Sequence, residues 1–543
     1  MNSNVVRSVR RGGHLNNGPN DGLRYVNANN APSNGNWNYG GAQNLTQSSA
    51  HPLLRFPAPN PKKVSQVTAH PFPRFQKWEP KSIRLERLSR SFSKRREDKK
   101  ELYAMKRYGN LWNTFCSVEN ATQAIINGTE HKRGDLIVCR RLGYPDREGL
   151  DPEKVRKEAE RLVELVQNGW TVSALREMIV RPPRGKERRI LSPTLTDHFV
   201  QWMLIQAIKP CLMRGMYAHS YGSIPGRGTE GARKTVEQWV RRDKRAKYFV
   251  KLDIRKFYEN VDQDVLREQF RRVVKDSKML KIIDRATAMT LKGLPIGAYA
   301  SQWFGNFYLQ PLDHFILQQC YKTRRGKRIP YVSHYLRYMD DMLLIGRSKR
   351  DLERAARLVI AYCEGVLHLR IKPCWEIMKI AKDRKEVREG SYVVARPAPI
   401  DICGYRFYRD HTEVRGSIFL HTSRMAAKTG KILRDRGYVF VHHAESVLSL
   451  CGWFSHADNE RFLSDYVERR IDTNLLKEVK SHADKHGIVG DAARVFCAPR
   501  GRYGRHQVLY GCSGRVVRGA GRRDRNALFG DGMDDAHPVA GRS

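Results

Sequence analysis

The sequence is short of acid. Its 543 residues carry 99 Lys and Arg against 56 Asp and Glu, a formal net charge of +43. A balance so far from neutrality argues against an enzyme of small acidic metabolites. Such a field draws in polyanions and repels itself without them. Long apolar runs are missing too: none approaches the roughly 20 residues that a membrane-spanning helix needs, so a membrane partner is not expected. The opening Met1-Asn2-Ser3-Asn4-Val5-Val6-Arg7 lacks the apolar core of a secretory signal. The ten cysteines, Cys116, Cys139, Cys211 and Cys320 among them, form no CxxC pair. That predicts reduced thiols in a cytoplasmic compartment and excludes the usual zinc modules. There is no GxxxxGK phosphate loop, no HExxH and no plausible Ser/His/Asp triad, which sets aside P-loop NTPases, zincins and serine hydrolases. Nucleic acid is the obvious partner, since each Lys or Arg on a phosphate releases condensed counterions; an anionic membrane surface is the alternative.

What is present divides into five segments. Residues 1–80 are dominated by Asn, Gly, Ser and Pro without a helical or strand period, so they bury too little apolar surface to offset their ordering entropy. A basic arm followed by helices and a strand pair is expected over 81–247, a mixed helix-and-strand region over 248–422, a helical region over 423–490 and a Gly/Arg-rich tail over 491–543. The arm from Lys81 to Lys106 is either a solvated helix face or a phosphate-contacting element. Asp151-Pro152 reads as an N-cap with Pro at the first helical position. Trp170 to Ile190 suggests strands around the turn Pro182-Pro183-Arg184-Gly185-Lys186. Helices are expected from Asp197 to Leu212, Asp264 to Val274, Ser301 to Cys320 and Leu352 to Leu367. Tyr248–Ile254 reads as a central strand and Tyr331–Ile345 as a hairpin, with short strands near Ile371 and over Ile402–Tyr408. Helical pattern then runs from Ser423 to about Lys485. This order is that of an α+β fold with a split βαβ palm sheet and helices on one face.

The chemistry centres on Tyr338-Met339-Asp340-Asp341, set between the apolar Tyr335-Leu336 and Met342-Leu343-Leu344-Ile345. Close like charges raise each other's pKa, and a divalent cation removes that cost. Upstream, Tyr248-Phe249-Val250-Lys251-Leu252 delivers Asp253 to the end of an apolar strand. Two metals bridged by carboxylates on adjacent strands can activate a 3′-hydroxyl and stabilise a leaving pyrophosphate. Asp253 and Asp340 would supply those carboxylates, with Asp341 as a supporting ligand.

The motif set resembles that of reverse transcriptases. Lys251-Leu252-Asp253 to Tyr258 is similar to the family's first palm motif and Gly293-Leu294-Pro295-Ile296-Gly297-Ala298-Tyr299-Ala300-Ser301-Gln302 to its second. Tyr338–Asp341 is similar to the third, Leu369-Arg370-Ile371-Lys372 to the fourth, and Cys403-Gly404-Tyr405 to the primer grip. Arg188-Arg189-Ile190 resembles the fingers motif. The resemblance runs from about 110 to 480 and implies a right-hand polymerase fold of fingers, palm and thumb. It implies RNA-directed DNA polymerase activity on a template RNA with a DNA or RNA primer and dNTPs. Two Mg²⁺ ions, replaceable by Mn²⁺, would be held by Asp253, Asp340, Asp341 and the carbonyl of Ile254. Tyr258 falls where the family places its steric gate against a 2′-hydroxyl, and Arg188 where the triphosphate is gripped. Ile296, Gly297 and Gln302 would line the nucleotide site. Lys372 is either a surface lysine or a cation beside the pyrophosphate. Arg184 and Lys186 are either phosphate contacts or a solvated turn.

The second motif narrows the resemblance. Ile296 stands where group II intron enzymes have Gln, and Ser301-Gln302 where they have Ser-Pro. This form resembles the bacterial diversity-generating retroelement enzymes, which copy template RNA with errors at adenine and work with a small basic helical accessory protein. Defence-associated reverse transcriptases are the alternative, and an RNA-binding protein on a dead polymerase scaffold is a third, disfavoured by the intact acidic set. Losing the polar side chain at 296 would remove part of the discrimination against a wrong base. The leader fits the same subtype. It is crowded with Asn, whose codons begin with two adenines, and its Trp37-Asn38-Tyr39-Gly40 resembles the end of a diversified target fold. The reading frame is therefore expected to overlap the template repeat, with an ordinary Asn/Gly/Ser leader as the other possibility.

Overall fold

The computed structural model describes residues 107–130, 136–143, 149–181, 187–390, 394–486, 488–500 and 505–516. The Asn-rich leader, the basic arm, Arg184, Lys186 and the tail past 516 lie outside the described residues.

The fingers strands form where the sequence alternates. Strands β1 (Arg176–Val180) and β2 (Arg188–Ser192) pair antiparallel, Val180 opposite Arg188. Asp151 caps the helix Pro152–Gln167 as its sequence predicts, accepting from the amides of Glu153 and Lys154. The helix Leu195–Arg214 is apolar on most sides and is correspondingly buried.

At the centre lies a six-stranded sheet. Its members are β3 (Ser220–Tyr221), β4 (Tyr248–Asp253), β7 (His334–Tyr338), β8 (Asp341–Gly346), β9 (Ile377–Ile380) and β10 (Pro397–Ala398), in the order β10-β9-β4-β8-β7-β3. Two further strands, β5 (Tyr321–Arg324) and β6 (Lys327–Pro330), form a separate hairpin just before β7. β4 and β8 are the middle strands because their apolar runs suit burial on both faces: Phe249, Val250, Leu252 and Met342 to Ile345 are fully buried. Two long helices cover the sheet. Tyr299–Gln319 is buried along most of its length, and Lys349–Val366 turns Leu352, Ala355, Ala356, Val359 and Cys363 inward.

Three local expectations change. The strand expected near Ile371 is one bridge, Ile254 to Ile371; Pro373 has no N–H to continue a ladder. The strand expected over Ile402–Tyr408 is a hairpin. Strands β11 (Ile400–Ile402) and β12 (Tyr405–Phe407) are joined by Cys403 and Gly404 at φ 52° and 83°, and β13 (Thr412–Val414) completes that sheet. The helical stretch from Ser423 begins earlier, at Gly416, and breaks at Gly437 (φ 67°) into β14 (Tyr438–Phe440). β14 pairs with β15 (Ile488–Arg500), and β15 with β16 (Arg505–Val516), so ladder replaces the low-complexity tail expected there. Ile488, Ala493, Val495 and Cys497 enter the same core as the thumb helices.

Candidate active site

β4 delivers Asp253 and β8 opens on Asp341, and the two are register partners. The Ile254 amide donates to the Asp340 carbonyl at 3.4 Å. The 254/340 position is therefore the hydrogen-bonded one and 253/341 the open one, where facing side chains come closest, with Cβ atoms about 4.5–5.5 Å apart. Two carboxylates thus stand abreast on one face of the sheet. Asp340 sits one residue back in the two-residue turn between Tyr338 and Asp341.

Two lysines answer the acids. Lys372 Nζ lies 2.8 Å from Asp253 Oδ2 and Lys251 Nζ 3.0 Å from Asp341 Oδ2. The bridge at Ile371 aims Lys372, whose amide donates to the Asp253 carbonyl at 2.9 Å. Its hydrogen bond to Asp253 raises the Lys372 pKa. Burial, then the charge of Asp253, pushes Asp340 up to about 6. Burial raises Asp341 as well, against the pull of Lys251.

The donor set fits a hard divalent cation. Asp253 Oδ1 and Asp341 Oδ1 are buried and accept no hydrogen bond, a deficit that buried polar atoms rarely carry without a ligand. Among the described residues no three His, Cys, Asp or Glu side chains gather into a cage. Mg²⁺ needs no such cage: one or two carboxylates suffice, with water and substrate phosphates completing its shell.

The fingers and the second motif close on this centre. Leu191 N donates to Ile296 O at 2.7 Å, and Leu294 N to Tyr258 O at 2.7 Å. Gly297 has φ +116°, and a Cβ there would lie 2.6 Å from Ile190 Cγ2 and 2.9 Å from Leu191 O; only glycine admits this approach. Arg188 heads β2, half-buried; burial lowers its pKa while Asp340 attracts its charge. Burial, with the charge of Asp340, raises the Tyr258 phenol. Arg188, Tyr258, Lys372 and Asp340 therefore share one neighbourhood. Phe257 beside Tyr258 is core, 2% exposed.

The Cys403-Gly404 turn also reaches the site. Burial raises the Cys403 thiol, and the Asp341 charge adds to that. Gly404 packs against the Trp453 ring, where a Cβ would collide. Tyr405 and Gln302 do not come to the surface. Tyr405 is buried with its hydroxyl donating to Trp453 O at 3.3 Å, and Gln302 is buried in the helix Tyr299–Gln319.

Sequence reasoning missed the support of the acidic turn. Arg337 is wholly buried, and its guanidinium donates to Asp313 Oδ1 and Oδ2 at 2.8 and 2.7 Å, to Asn306 Oδ1 at 3.0 Å and to Met339 O at 3.1 Å. Tyr335 donates to the same Asp313 at 2.7 Å. The signal was a charged residue inside the apolar strand Tyr335-Leu336-Arg337-Tyr338, and its partner lies 24 residues upstream.

A mixed sheet whose antiparallel middle strands β4 and β8 set carboxylates abreast, with the basic strand β2 near them, has the frame that two-metal nucleotidyl transfer needs. Residues 179–373 match the reverse transcriptase (RNA-dependent DNA polymerase) family. The group II intron-encoded protein LtrA of Lactococcus lactis subsp. cremoris is 26% identical over 242 residues, covering 42% of this chain and 39% of that protein; its counterpart from strain MG1363 gives the same values. The chain thus matches well under half the length of these relatives. Among solved structures, apo telomerase from Candida tropicalis aligns at TM-score 0.32 and 12% identity, covering 48% of this chain and 59% of that one. Telomerase from Candida albicans with a telomeric RNA fragment aligns at 0.34 and 10%, covering 59% and 60%. Among the described residues no helix is long and apolar enough to cross a membrane.

Proposed function

We propose that this chain is an RNA-directed DNA polymerase that adds dNTPs to a primer 3′-hydroxyl on a template RNA. The observation that carries the reading is the pair of register-matched carboxylates, Asp253 and Asp341, each with one buried oxygen lacking a partner. Asp253, Asp340 and Asp341 would hold Mg²⁺, with the Ile254 carbonyl beside them; bound there, the metal supplies Lewis-acid activation of the hydroxyl and charge neutralisation of the phosphates. Arg188 holds the triphosphate from the fingers side. Lys372 stands ready to balance or protonate the departing pyrophosphate. Tyr258 sits under the sugar and selects against a 2′-hydroxyl. Primer extension on an RNA template tests the reading: wild-type protein extends with dNTPs, and Asp253→Asn abolishes extension while leaving the circular dichroism spectrum unchanged. Equal extension by the variant refutes the role of the carboxylates.

Ile296 supports the finer reading, error-prone synthesis of the diversity-generating kind. Its carbonyl is held by the Leu191 amide, so its half-buried side chain is fixed at the junction of fingers and palm. There it brings no hydrogen bond to the sugar or base, and discrimination falls. Ile296→Gln should lower misincorporation opposite template adenine, read by sequencing the cDNA. An unchanged error spectrum sinks this finer reading and leaves the polymerase intact.

A further inference from the structure

The end of the central sheet opposite the carboxylates has a chemistry of its own. β4 starts there at Tyr248, β7 starts there at His334 and β8 ends there at Gly346. The five residues of β7 put that pole about 17 Å from the catalytic turn. Three connecting segments converge on it. Lys247 N donates to Gly346 O at 3.0 Å, Ser333 N donates to Ile345 O at 2.8 Å, and Lys322 pairs with Asp351 at 2.6 Å. Lys and Arg supply five of the seven residues 241–247, five of the ten residues 321–330 and three of the four residues 347–350. The single acid among those positions is Asp243.

Five of these thirteen cations sit on a projecting ribbon. β5 and β6 turn through Arg325 and Gly326, both left-handed at φ 50° and 74°, which is the tight two-residue turn that matches strand twist. Arg324, Arg325, Lys327 and Arg328 are all exposed.

At the base of the ribbon is a cavity of about 310 Å³ lined by Tyr217, His219, Trp239, Pro330 and His334 among others. Trp239 stacks on His334 with centroids 4.8 Å apart and planes 17° apart, and His219 meets the same indole edge-on at 4.9 Å. Asp243 fixes His334 through Nε2 at 2.9 Å. Burial, with the nearby His334 and Arg227, lowers the His219 pKa, which keeps its imidazole neutral and able to bond an uncharged partner.

We propose that this pole is a second nucleic-acid site, for single-stranded RNA. One unstacked base enters the cavity against the Trp239–His334 stack, and the β5–β6 ribbon holds the flanking phosphates. Stacking on aromatic rings beside a basic track is how unpaired strands are bound. A duplex keeps its bases stacked and cannot fill the cavity. A lipid surface calls for several protruding apolar side chains, whereas here the rings are half-buried and Leu317 is the one large apolar lining residue that is well exposed. The site is separate from the catalytic cleft and does not depend on the polymerase reading.

The test uses the full chain and a short labelled single-stranded RNA. Combined Arg324→Ala, Arg325→Ala and Lys327→Ala should reduce the salt dependence of binding, lowering the slope of log K against log salt by about 2 at about 0.7 per phosphate. Trp239→Ala should weaken binding about tenfold. A 4-thiouridine RNA should crosslink to the peptide bearing Trp239. Extension of a short primer–template should be unchanged in the triple variant. An unchanged salt slope in that variant overturns the proposal, and because its substitutions lie on an exposed ribbon, misfolding cannot explain it. Crosslinks confined to the carboxylate cleft, preference for duplex, or binding of phosphatidylserine vesicles in place of RNA would each overturn it too. Failure of primer extension by wild-type protein would bear on the polymerase alone.

Discussion

Asp340→Asn should separate stability from activity. In the metal-free protein, burial and the charge of Asp253 hold the Asp340 carboxyl at a pKa of about 6, against an ordinary value of 3.8. A carboxyl whose folded pKa lies above its unfolded value binds its proton more tightly when folded. The folded state therefore loses stability as pH rises from about 4 to 6, and by pH 7 the loss is complete. Moving the pKa from 3.8 to about 6 corresponds to about 3 kcal/mol. The amide keeps the shape of the side chain and carries no charge, so Asp340→Asn should gain up to about 3 kcal/mol at pH 7 in EDTA. The gain should shrink towards zero at pH 4, where the wild-type carboxyl is itself protonated. Mg²⁺ should stabilise the wild type more than the variant, because a ligand that binds the folded state raises its stability by an amount that grows with the logarithm of its affinity. Urea denaturation at several pH values reads the first effect, its repetition with Mg²⁺ the second, and primer extension should be lost throughout. A variant that is less stable at pH 7, or whose difference from wild type is the same at pH 4 and pH 7, would refute the electrostatic account of this turn.

Arg337→Met should cost about 3–5 kcal/mol in urea denaturation, because Asp313 is left charged and buried. Arg337→Met with Asp313→Leu should recover most of that, and a double variant no better than the single would show that the pair is not the unit. Tyr258→Ala should admit ribonucleotides about 10–100-fold better relative to dNTPs, read as the ratio of kcat/KM values; an unchanged ratio removes the gate role. Gly297→Ala places a side chain at φ +116° and 2.9 Å from the Leu191 carbonyl, which should cost about 1–3 kcal/mol and raise the KM for dNTP as the fingers strand is displaced. An unaltered KM would mean that β2 does not depend on this contact.

The catalytic strands were legible because apolar runs ending on acid are short-range patterns. Phe249 to Asp253 and Asp341 to Ile345 need no knowledge of their neighbours to read as strands. Register was not legible, yet it is the open 253/341 position that brings the carboxylates together. The Cys403-Gly404 turn was read as strand because cysteine carries no turn signal, although Gly404 did. The ribbon Tyr321–Pro330 went unread because both its faces are polar, so no alternation betrays it, and Arg325-Gly326 was the remaining cue. The β15–β16 pair was hidden by Gly and Arg around its apolar positions. Arg337 could not be placed from sequence at all: its partner Asp313 belongs to a helix, and the meeting of the two is a property of packing.

That packing explains how the turn holds a shape its own residues resist. Met339 sits at φ 54°, a left-handed conformation that costs a residue with a Cβ roughly 1–2 kcal/mol. Its surroundings overdetermine it. Its amide donates to Tyr221 O at 3.2 Å, its carbonyl accepts from Arg337 at 3.1 Å, and Asn306 Nδ2 lies 3.3 Å from its sulfur. Gly222 leaves room for the side chain, since a Cβ there would come within 2.9 Å of Met339 Cγ. Backbone, guanidinium and amide thus grip one residue from three directions, and the next two residues are the acids. Asp340 and Asp341 are therefore positioned before any cation arrives, which is the condition for a site whose geometry is set by the protein. The buried, uncompensated oxygens and the raised Asp340 pKa are the counterpart of that rigidity. A turn free to relax would rotate its carboxylates into water.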